Sequence, residues 1–566
     1  MISMRAVLLS GAALAAFGLQ ASAAFAQIVP GSAEPGLTQR RLQPTLERPD
    51  VSATPLITVK DDKADKPLKG DVSFELKEIK FDGLKTFSEA DLKPIYADKL
   101  GQKISLGALN RIAADITAYY RNKGYILSRA VVPPQRIETG IVTIRIIEGF
   151  VGDVRIEGEG ADSGTIKAIA DKIKAAQPLN AATLERYLLL IEDLPGVSAR
   201  AVLQPSASTP GASDVVVNIT RNMFEGSTLS LDNRGSRYLG PWQGGATVAG
   251  NNLLGLDEQT QVRVIGSVFE MSELQYGEIR HEEQLGSEGT KLALSASHVL
   301  TRPGSTLAPL EIEGQSRTYT VGVSHPFLRS RQSNLFGNIE AAVKDVDVSV
   351  SGSKLYEDRL RTINAGGTYD FLDGWDAINR VAFNATKGLG WDTESSAGGA
   401  RSRVNGQPSF WKANFDASRL QPISGPWTAN FSVSGQYSLD PLLASEEFAL
   451  GGPAFGSAYD PAEITGDSGL AGRVELQYND GLDSKWLPAY QLYTFYDLGR
   501  VWNRNIVAGT ELATRSLSSA GVGSRFNLVD SISGGVEVAV PLTKSVAAYG
   551  EDGNSPRVFV SLQYRY

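Results

Sequence analysis

From residue 223 to the last residue, the chain alternates polar and apolar residues in short segments and shows no helical periodicity. We count sixteen such segments, separated by stretches rich in glycine and serine. Successive residues of a strand point to opposite faces, so each segment can be sorted into two sets of side chains. In the last segment, RVFVSLQYRY, the two sets are Val558, Val560, Leu562, Tyr564 and Tyr566 on one face and Ser561, Gln563 and Arg565 on the other. The pattern predicts β-strands with one apolar and one polar face.

The connections between these segments differ in length in a regular way. After even-numbered segments they are short, as in NNLLGLDE, LDGWD, LQPISGP and FNLVD. After odd-numbered segments from the fifth onward they are mostly long and polar, and the longest is 438–466. Short turns on one side and long loops on the other are typical of an outer-membrane barrel with an even number of strands. We therefore predict an all-β, sixteen-stranded antiparallel transmembrane barrel at 223–566. A soluble sandwich or propeller also alternates, but it does not account for the asymmetry of the loops.

The first residues form a different kind of segment. The stretch MISMRAVLLSGAALAAFGLQASAAFAQ combines one early arginine, an apolar run rich in alanine and leucine, and a small-x-small end. It predicts a cleaved signal peptide at 1–26. After residue 26 no apolar run reaches the roughly 18 to 20 residues that a membrane helix requires, so crossing a membrane would require strands. Residues 27–72 are rich in proline, glycine and charge, and they predict a linker with a short helix near Leu37 to Leu42.

Two copies of one α+β module precede the barrel. At 73–150 the predicted order is strand, helix, helix, strand, strand. Ser88 with Asp91 resembles a capping box at the start of the first helix, and Gly124 is placed to end the second helix in a left-handed conformation. The same order of elements recurs at 151–222. Repetition of a complete supersecondary unit predicts two tandem domains.

Composition excludes several kinds of site. The chain has no cysteine, and its three histidines, His281, His298 and His325, are too far apart in sequence to share a helix face. The formal net charge of -8 is modest for 566 residues and does not indicate nucleic-acid binding. Ser457 in FGSAY does not satisfy G-x-S-x-G, and the chain has no G-x-x-x-x-G-K-[ST] loop. We therefore predict no catalytic, cofactor-binding or metal-binding residues, and no enzyme.

Four segments taken together resemble a known family. They are SRAVVPPQRIETGIVTIRIIEG at 128–149, LDNRGSRYLGPWQ with NNLLGLDE at 231–258, LGGPAFGSAYDPAEITGDSGLAGRVEL at 450–476, and FYDLGRVW at 495–502. In this order, with two modules and a barrel, they resemble the outer-membrane transporters of two-partner secretion, the haemolysin-activator and filamentous-haemagglutinin exporter family.

The resemblance implies a fold, a location and partners. The modules would be periplasmic polypeptide-transport-associated (POTRA) domains, with POTRA 1 at 73–150 and POTRA 2 at 151–222, and residues 27–72 would include a plug helix. The chain would be a monomer among the lipids of the outer membrane and would export one large exoprotein that is unfolded in the periplasm, without nucleotide, cofactor or nucleic acid. The alternative is a factor that inserts other outer-membrane or surface proteins. A passive porin is disfavoured because a simple pore needs no chain-binding domains.

The resemblance also implies that the long loop folds back into the lumen. Its matching loop residues are Gly451, Gly452, Gly456, Ser457, Tyr459, Gly466 and Asp467, and the wall residues expected near it are Arg473, Glu475, Phe495, Asp497 and Gly499. In the family the loop tip carries an arginine that pairs with the inward aspartate of a Phe-x-Asp-x-Gly strand. Here that strand is intact, but the arginine position holds Ser457.

The partner of Asp497 is therefore open. Arg473 points inward because it alternates with apolar neighbours, and our pairing sets it opposite position 494. Arg500, three residues beyond Asp497, is a second candidate. Hydration of Asp497 in a wet lumen is a third explanation.

Cargo capture is expected in the modules. An unfolded chain could add a strand to an exposed sheet edge, where backbone hydrogen bonds give affinity without demanding one sequence. Tyr125 and Gln135 are the candidate cargo contacts, whereas Gly124 and Gly149 are expected to shape the turn and the core.

Overall fold

The structure is a computed structural model that describes residues 29–43, 57–59, 73–209, 212–390, 400–482, 484, 487–506, 512–529 and 531–566. The predicted signal peptide at 1–26 and most of the predicted linker lie outside the described residues. Within the described part of the chain, no helix has both the length and the apolar character needed to cross a membrane.

A short 3-10 turn, Gly31–Ala33, leads into helix α1, Pro35–Leu42. Proline suits the first helical position, where its missing N–H would have no partner. Helix α1 lies inside the barrel: the Gln39 side chain donates to Ser297 Oγ at 2.8 Å and accepts from Thr318 Oγ1 at 2.9 Å. The helix predicted near 37–42 is therefore present, and it occupies the lumen.

The first module has the predicted order of elements, with one addition. Its helices are α2, Glu89–Tyr96, and α3, Leu106–Asn122, and its strands are Ser73–Glu75, Glu78–Asp82, Lys103–Ser105, Arg129–Val131 and Ile141–Ile147. The predicted first strand is split in two, and Lys103–Ser105, which we did not predict, pairs with its first half. The capping box of Ser88 and Asp91 is confirmed, and Gly124 has a φ of 89° as its position after α3 requires.

The second module repeats the arrangement on a larger sheet. Strand Phe150–Gly158 is followed by α4, Gly164–Ala175, and α5, Ala181–Glu192, and then by strands Val197–Pro205 and Ala212–Arg221. The linker contributes a further strand, Ile57–Val59, which pairs in parallel with Val197–Pro205 at the outer edge of the sheet. The apolar faces of both helices pack on the sheet and form one buried core.

Sixteen strands close into an antiparallel barrel in chain order, and the first pairs with the last. In order, barrel strands 1 to 16 are Thr228–Asp232, Gln243–Asn251, Gln259–Ser267, Leu274–Leu285, Thr290–Thr301, Ile312–Arg329, Ser333–Val350, Ser353–Leu372, Ile378–Gly388, Trp411–Ser424, Trp427–Ser438, Ser468–Asp480, Ala489–Trp502, Thr514–Asn527, Ile532–Pro541 and Arg557–Arg565. The predicted strand number is confirmed, because alternation with period two is preserved wherever one face meets lipid.

Connections follow the predicted asymmetry with one exception. Barrel strands 7 and 8 are joined by only Ser351 and Gly352, both with positive φ, as a tight hairpin turn of this kind requires. These two strands have 18 and 20 residues, about twice the 9 to 11 that span a membrane. The extra length therefore extends the wall on the side of the long loops.

The second module is fixed to the short-turn end of the barrel. Arg329, at the end of barrel strand 6, donates two hydrogen bonds to the Asp193 carboxylate, at 2.8 and 2.7 Å. Arg221, the last residue of the module's final strand, pairs with Asp257 in the turn between barrel strands 2 and 3. Two separated ion pairs restrict rotation of the module relative to the barrel.

Candidate functional site in the barrel lumen

The connection between barrel strands 11 and 12, residues 439–467, folds back into the lumen; we call it the lumen loop. It contains a 3-10 turn, Ala444–Glu446, and two strands, Phe448–Leu450 and Ile464–Gly466, that pair with each other. The backbone pairing holds the two arms of the loop together as far as Leu450 and Ile464.

Glycine is required where the arms of the lumen loop meet. Gly451 and Gly456 have φ values of 114° and 87°, a region that residues with a Cβ rarely adopt. A Cβ on Gly451 would also lie 2.1 Å from the Asp460 carbonyl oxygen. Gly452 also has a positive φ, 92°. The glycines predicted for the loop therefore shape its tip.

Tyr459 anchors the tip to the wall. Its side chain is 1% exposed, and its hydroxyl donates to the Ser518 carbonyl oxygen at 3.1 Å. Arg557 donates to the carbonyl oxygen of Ala458 at 2.9 Å and to the Asp460 carboxylate at 2.8 Å. The tip is thus bound on both sides of Tyr459 by barrel strands 14 and 16.

Asp497 of barrel strand 13 binds the loop tip through a backbone group. Its carboxylate is completely buried; it accepts from Ser457 N–H at 3.1 Å and from the Ser519 hydroxyl at 2.5 Å. Arg473 Nη1 lies 3.5 Å from the same carboxylate. Hydration alone therefore does not describe Asp497, which has three protein partners.

Arg473 lies directly opposite Asp497 in the register of barrel strands 12 and 13. The predicted position opposite residue 494 was wrong by three residues. Cross-strand neighbours share a face of the sheet, and Thr494 is exposed on the outer face, whereas Arg473 and Asp497 both point inward. The alternation of inward and outward side chains could by itself have excluded the pairing of Arg473 with residue 494.

The Arg473 guanidinium contacts the tip and the wall together. It donates to Ser457 Oγ at 2.6 Å, pairs with Glu475 at 2.9 Å and stacks over the Phe495 ring with 3.9 Å to the ring centre. Arg500, the other candidate, is exposed and lies opposite the exposed Leu470. It is on the outer face of barrel strand 13, so it was the wrong alternative.

The root of the lumen loop is held by a second buried carboxylate. Asp467 accepts from the backbone N–H groups of Leu442 and Arg504, each at 2.7 Å, and from Arg403. Arg403 comes from the long connection between barrel strands 9 and 10. We did not predict its role, because the two arginines of the stretch RSRVNG have no local pattern that separates either from a solvated one.

Two glycines allow close approach of the loop to the wall. A Cβ on Gly499 would lie 2.5 Å from Leu450 Cδ1, and one on Gly466 would lie 3.1 Å from the Trp502 nitrogen. The first arm of the loop at Leu450 and its root at Gly466 therefore lie directly against barrel strand 13.

Helix α1 packs against the other side of the lumen loop. Arg40 donates to the Glu447 carbonyl oxygen, and Glu446 pairs with Lys344 at 2.6 Å and Lys412 at 2.8 Å, on barrel strands 7 and 10. Beside them lies a polar cavity of about 570 Å³, lined by these charged groups and by wall threonines and asparagines. Helix and loop together fill part of the lumen.

The lumen loop is anionic throughout. Between 439 and 467 it carries Asp440, Glu446, Glu447, Asp460, Glu463 and Asp467 and no lysine or arginine. Besides Lys344, four cations of the wall or the outer loops pair with these carboxylates: Lys412 with Glu446, Arg403 with Asp467, Lys544 with Glu463 and Arg557 with Asp460. Electrostatic attraction therefore favours the inserted position.

The two candidate cargo contacts have internal partners. Tyr125 is half-buried in an aromatic cluster with Phe87 and Tyr120, at ring distances of 5.6 and 6.1 Å. The Gln135 amide donates to the Thr143 carbonyl oxygen at 2.7 Å and accepts from Thr143 N–H at 2.8 Å. These contacts give Gln135 a role in joining two segments of the module. No group of three or more metal-ligating side chains occurs in the described part of the chain.

Comparison with known proteins assigns the architecture to a family. The family profile described as haemolysin secretion/activation protein ShlB/FhaC/HecB matches residues 211–526. The chain belongs to this family. A second profile, described as POTRA domain, ShlB-type, matches residues 74–149 of the first module. The family's transporters are outer-membrane β-barrels with POTRA domains in the periplasm, and this ShlB/FhaC/HecB member has that location and order of domains.

Curated relatives of this ShlB/FhaC/HecB member share its length. It is 23% identical over 463 residues to the heme/hemopexin transporter protein HuxB of Haemophilus influenzae, covering 81% of each chain. It is 25% identical over 439 residues to the outer membrane transporter CdiB of Dickeya dadantii, covering 74% of each chain. The solved structure of CdiB from Escherichia coli superposes with a TM-score of 0.69 at 20% identity, over 91% of this chain and 93% of that one. The structural likeness shows a common fold.

Proposed function

We propose that this chain is the outer-membrane pore through which one large exoprotein leaves the periplasm. Membership in the secretion/activation family carries this proposal, because the matched residues include most of the barrel and the lumen loop. The proposed division is POTRA 1 at 73–150, POTRA 2 at 151–222 and the pore at 223–566. Family members are transporters, and we assign this chain no catalytic step.

Capture of the cargo is proposed to use the edges of the POTRA sheets. The pairing of Ile57–Val59 with Val197–Pro205 supports this, because it is an example of an extended segment bound at such an edge. In the first module, Arg129–Val131 lies at one end of its three-stranded sheet. An unfolded exoprotein would add a strand there through backbone hydrogen bonds, with little dependence on its sequence.

We propose that the cargo itself determines the direction of transport through the pore. The chain has no phosphate-binding loop for a nucleotide. A chain that folds after leaving the pore cannot return through it in the folded state, so folding outside makes backward movement unfavourable. Passage requires helix α1 and the lumen loop to move, since both occupy the lumen.

One closed barrel supplies a complete pore, so we propose that the chain works as a monomer. The exposed apolar side chains of its strands would then contact outer-membrane lipids. The alternative, insertion of other outer-membrane or surface proteins, would use the same POTRA edges on a different cargo. The secretion/activation family profile favours export over this alternative.

The test compares the secreted proteins of cells with and without this chain. Loss of one large polypeptide from the medium or cell surface, with normal levels of other outer-membrane barrels, is the expected result. A general loss of barrels would favour the insertion factor instead. A variant lacking 73–149 whose barrel still inserts is expected to lose export, and normal export by that variant would overturn POTRA-mediated capture.

A further inference from the structure

The buried charges that surround Ser457 belong to the wall and to one connection, whereas the loop carboxylate Asp460 pairs separately with Arg557. Three carboxylates, Asp497, Glu475 and Glu537, lie among three guanidiniums, Arg473, Arg525 and Arg234. Five of the six are on barrel strands 12 to 15, and Arg234 is in the connection after barrel strand 1. This charge cluster is balanced, and among its described members none comes from the lumen loop. The loop contributes only neutral groups there: the N–H, hydroxyl and carbonyl oxygen of Ser457 and the carbonyl oxygen of Pro453.

We propose that Arg473 is the positioning residue of the tip. The cation that neutralises Asp497 then belongs to the barrel wall. Ser457 binds the preformed Arg473–Asp497 pair through neutral groups and can be released from it, and we call Ser457 the latch. The Ser457 N–H binds the carboxylate at 3.1 Å and its hydroxyl accepts from the guanidinium at 2.6 Å. One residue thus binds both members of the pair.

The site has room for a cationic side chain from only one of the two positions, 457 or 473. Ser457 Oγ is already in hydrogen-bond contact with Arg473 Nη1, so a longer side chain at 457 would overlap the guanidinium. An arginine at 457 would also add a fourth positive charge to a cluster with three negative ones. Removing Arg473 would leave three carboxylates with two guanidiniums. Buried charges without partners are strongly unfavourable, so each single change disturbs the site.

Because the cation is on the barrel wall, it stays beside Asp497 when the loop moves. Asp497 keeps Arg473 and Ser519 as partners after the tip has gone. Release of Ser457 breaks its three hydrogen bonds to the charge cluster, with Asp497, Arg473 and Arg234, and separates no ion pair within that cluster. With an arginine at the tip, the same movement would leave a buried carboxylate without its cation. The latch of this chain is therefore suited to repeated opening.

Reciprocal exchange of the two residues tests the assignment. Arg473→Ser, Ser457→Arg and the double variant are each combined with Ala458→Cys, which introduces the single thiol of a cysteine-free chain at a completely buried position. Labelling of that thiol by an impermeant maleimide added outside the cells reports release of the tip. Because labelling reports loop position whether or not cargo is present, failure of the latch and failure of the export function are distinguishable.

Each single variant is expected to label about ten times faster than the parent, and the double variant within about twofold of it, since neighbouring residues that share one interaction are not additive. Arg500→Ser, which removes an exposed arginine on the outer face, is the matched control and is expected to label like the parent. Parental labelling of Arg473→Ser would overturn the assignment, as would a double variant labelled as fast as the faster single. If Arg473→Ser does not insert, restored insertion in the double variant supports the assignment, and failure to restore it overturns it.

Discussion

Gly36 of helix α1 and Ser445 of the lumen loop are in such close contact that a Cβ added to Gly36 would lie 2.5 Å from Ser445 Cβ. Real Cβ atoms do not approach so closely, so helix and loop fit together only because residue 36 has no side chain. The two elements that fill the lumen are therefore sterically interdependent.

Gly36→Leu is expected to displace the helix or the loop and to increase the conductance of the barrel in planar bilayers. The physical reason is overlap, since neither the helix backbone nor the wall-bound loop has room to accommodate the added side chain. Gly164→Ala, at a helical glycine with no atom within 4 Å of the added Cβ, is the control. Unchanged conductance of Gly36→Leu would show that the contact does not hold the lumen closed.

Asp467→Asn is expected to loosen the root of the lumen loop. It removes the nearer of two carboxylates that face buried Arg403, leaving Glu447 at 3.3 Å, and keeps a side chain of similar size. Because Arg403 keeps one partner, the cost is expected to be below the roughly 3 to 5 kcal/mol for a buried charge left without any. The expected result is a lower temperature of unfolding in heat-modifiability gels and faster cleavage of the loop by external protease. Asp376→Asn, at an exposed turn, is expected to change neither.

Asp193→Ala is expected to free the second module, the proposed POTRA 2, from the barrel. Arg329 would lose both of its hydrogen bonds to the carboxylate, although Asn334 would still bind it at 3.0 Å. Cross-links between the domain and the barrel turns are predicted to become more heterogeneous and export to fall. Asp162→Ala, which removes an exposed carboxylate of the same domain, is the control. Export at the parental level would argue that the orientation of the domain is not needed.

The first POTRA domain is expected to lose stability in acid through Glu148. Burial by itself would raise the pKa of Glu148, but hydrogen bonds from the N–H groups of Thr86 and Lys85 and from the Tyr120 hydroxyl outweigh it and lower the pKa below its ordinary value of 4.5. A carboxyl group with a lowered pKa stabilises the fold above pH 4.5, and the contribution disappears as pH falls through the folded-state pKa. The protection factors of the amides of residues 73–149 in the full chain, taken relative to the intrinsic exchange rate at each pH, should therefore fall on acidification. Glu148→Gln should be less stable at neutral pH and lose this part of the acid response.

The strand number could be predicted because each lipid-facing strand needs its own period-two pattern. The roles of Gly124 and Ser88 at helix ends could be predicted because such ends are determined by a few neighbouring residues. The register of Arg473 against Asp497 was missed because it depends on the length of the turn between barrel strands 12 and 13, which the alternation does not fix. Arg234 and Arg403 were missed for a different reason. Arg234 lies 223 residues before Ser457 and Arg403 lies 64 residues before Asp467, so no local spacing indicates them.

The anionic lumen loop can be regarded as a ligand tethered at both ends to the receptor that binds it. Its acidic groups compete for the wall cations at an effective concentration on the order of millimolar or more, which the tether fixes and dilution of the protein cannot change. Free acidic peptides at lower concentration would therefore not displace it. Ionic strength acts differently, because it weakens the partly hydrated pairs such as Lys544 with Glu463 while leaving the tether intact. The closed pore is thus the bound state of an intramolecular equilibrium.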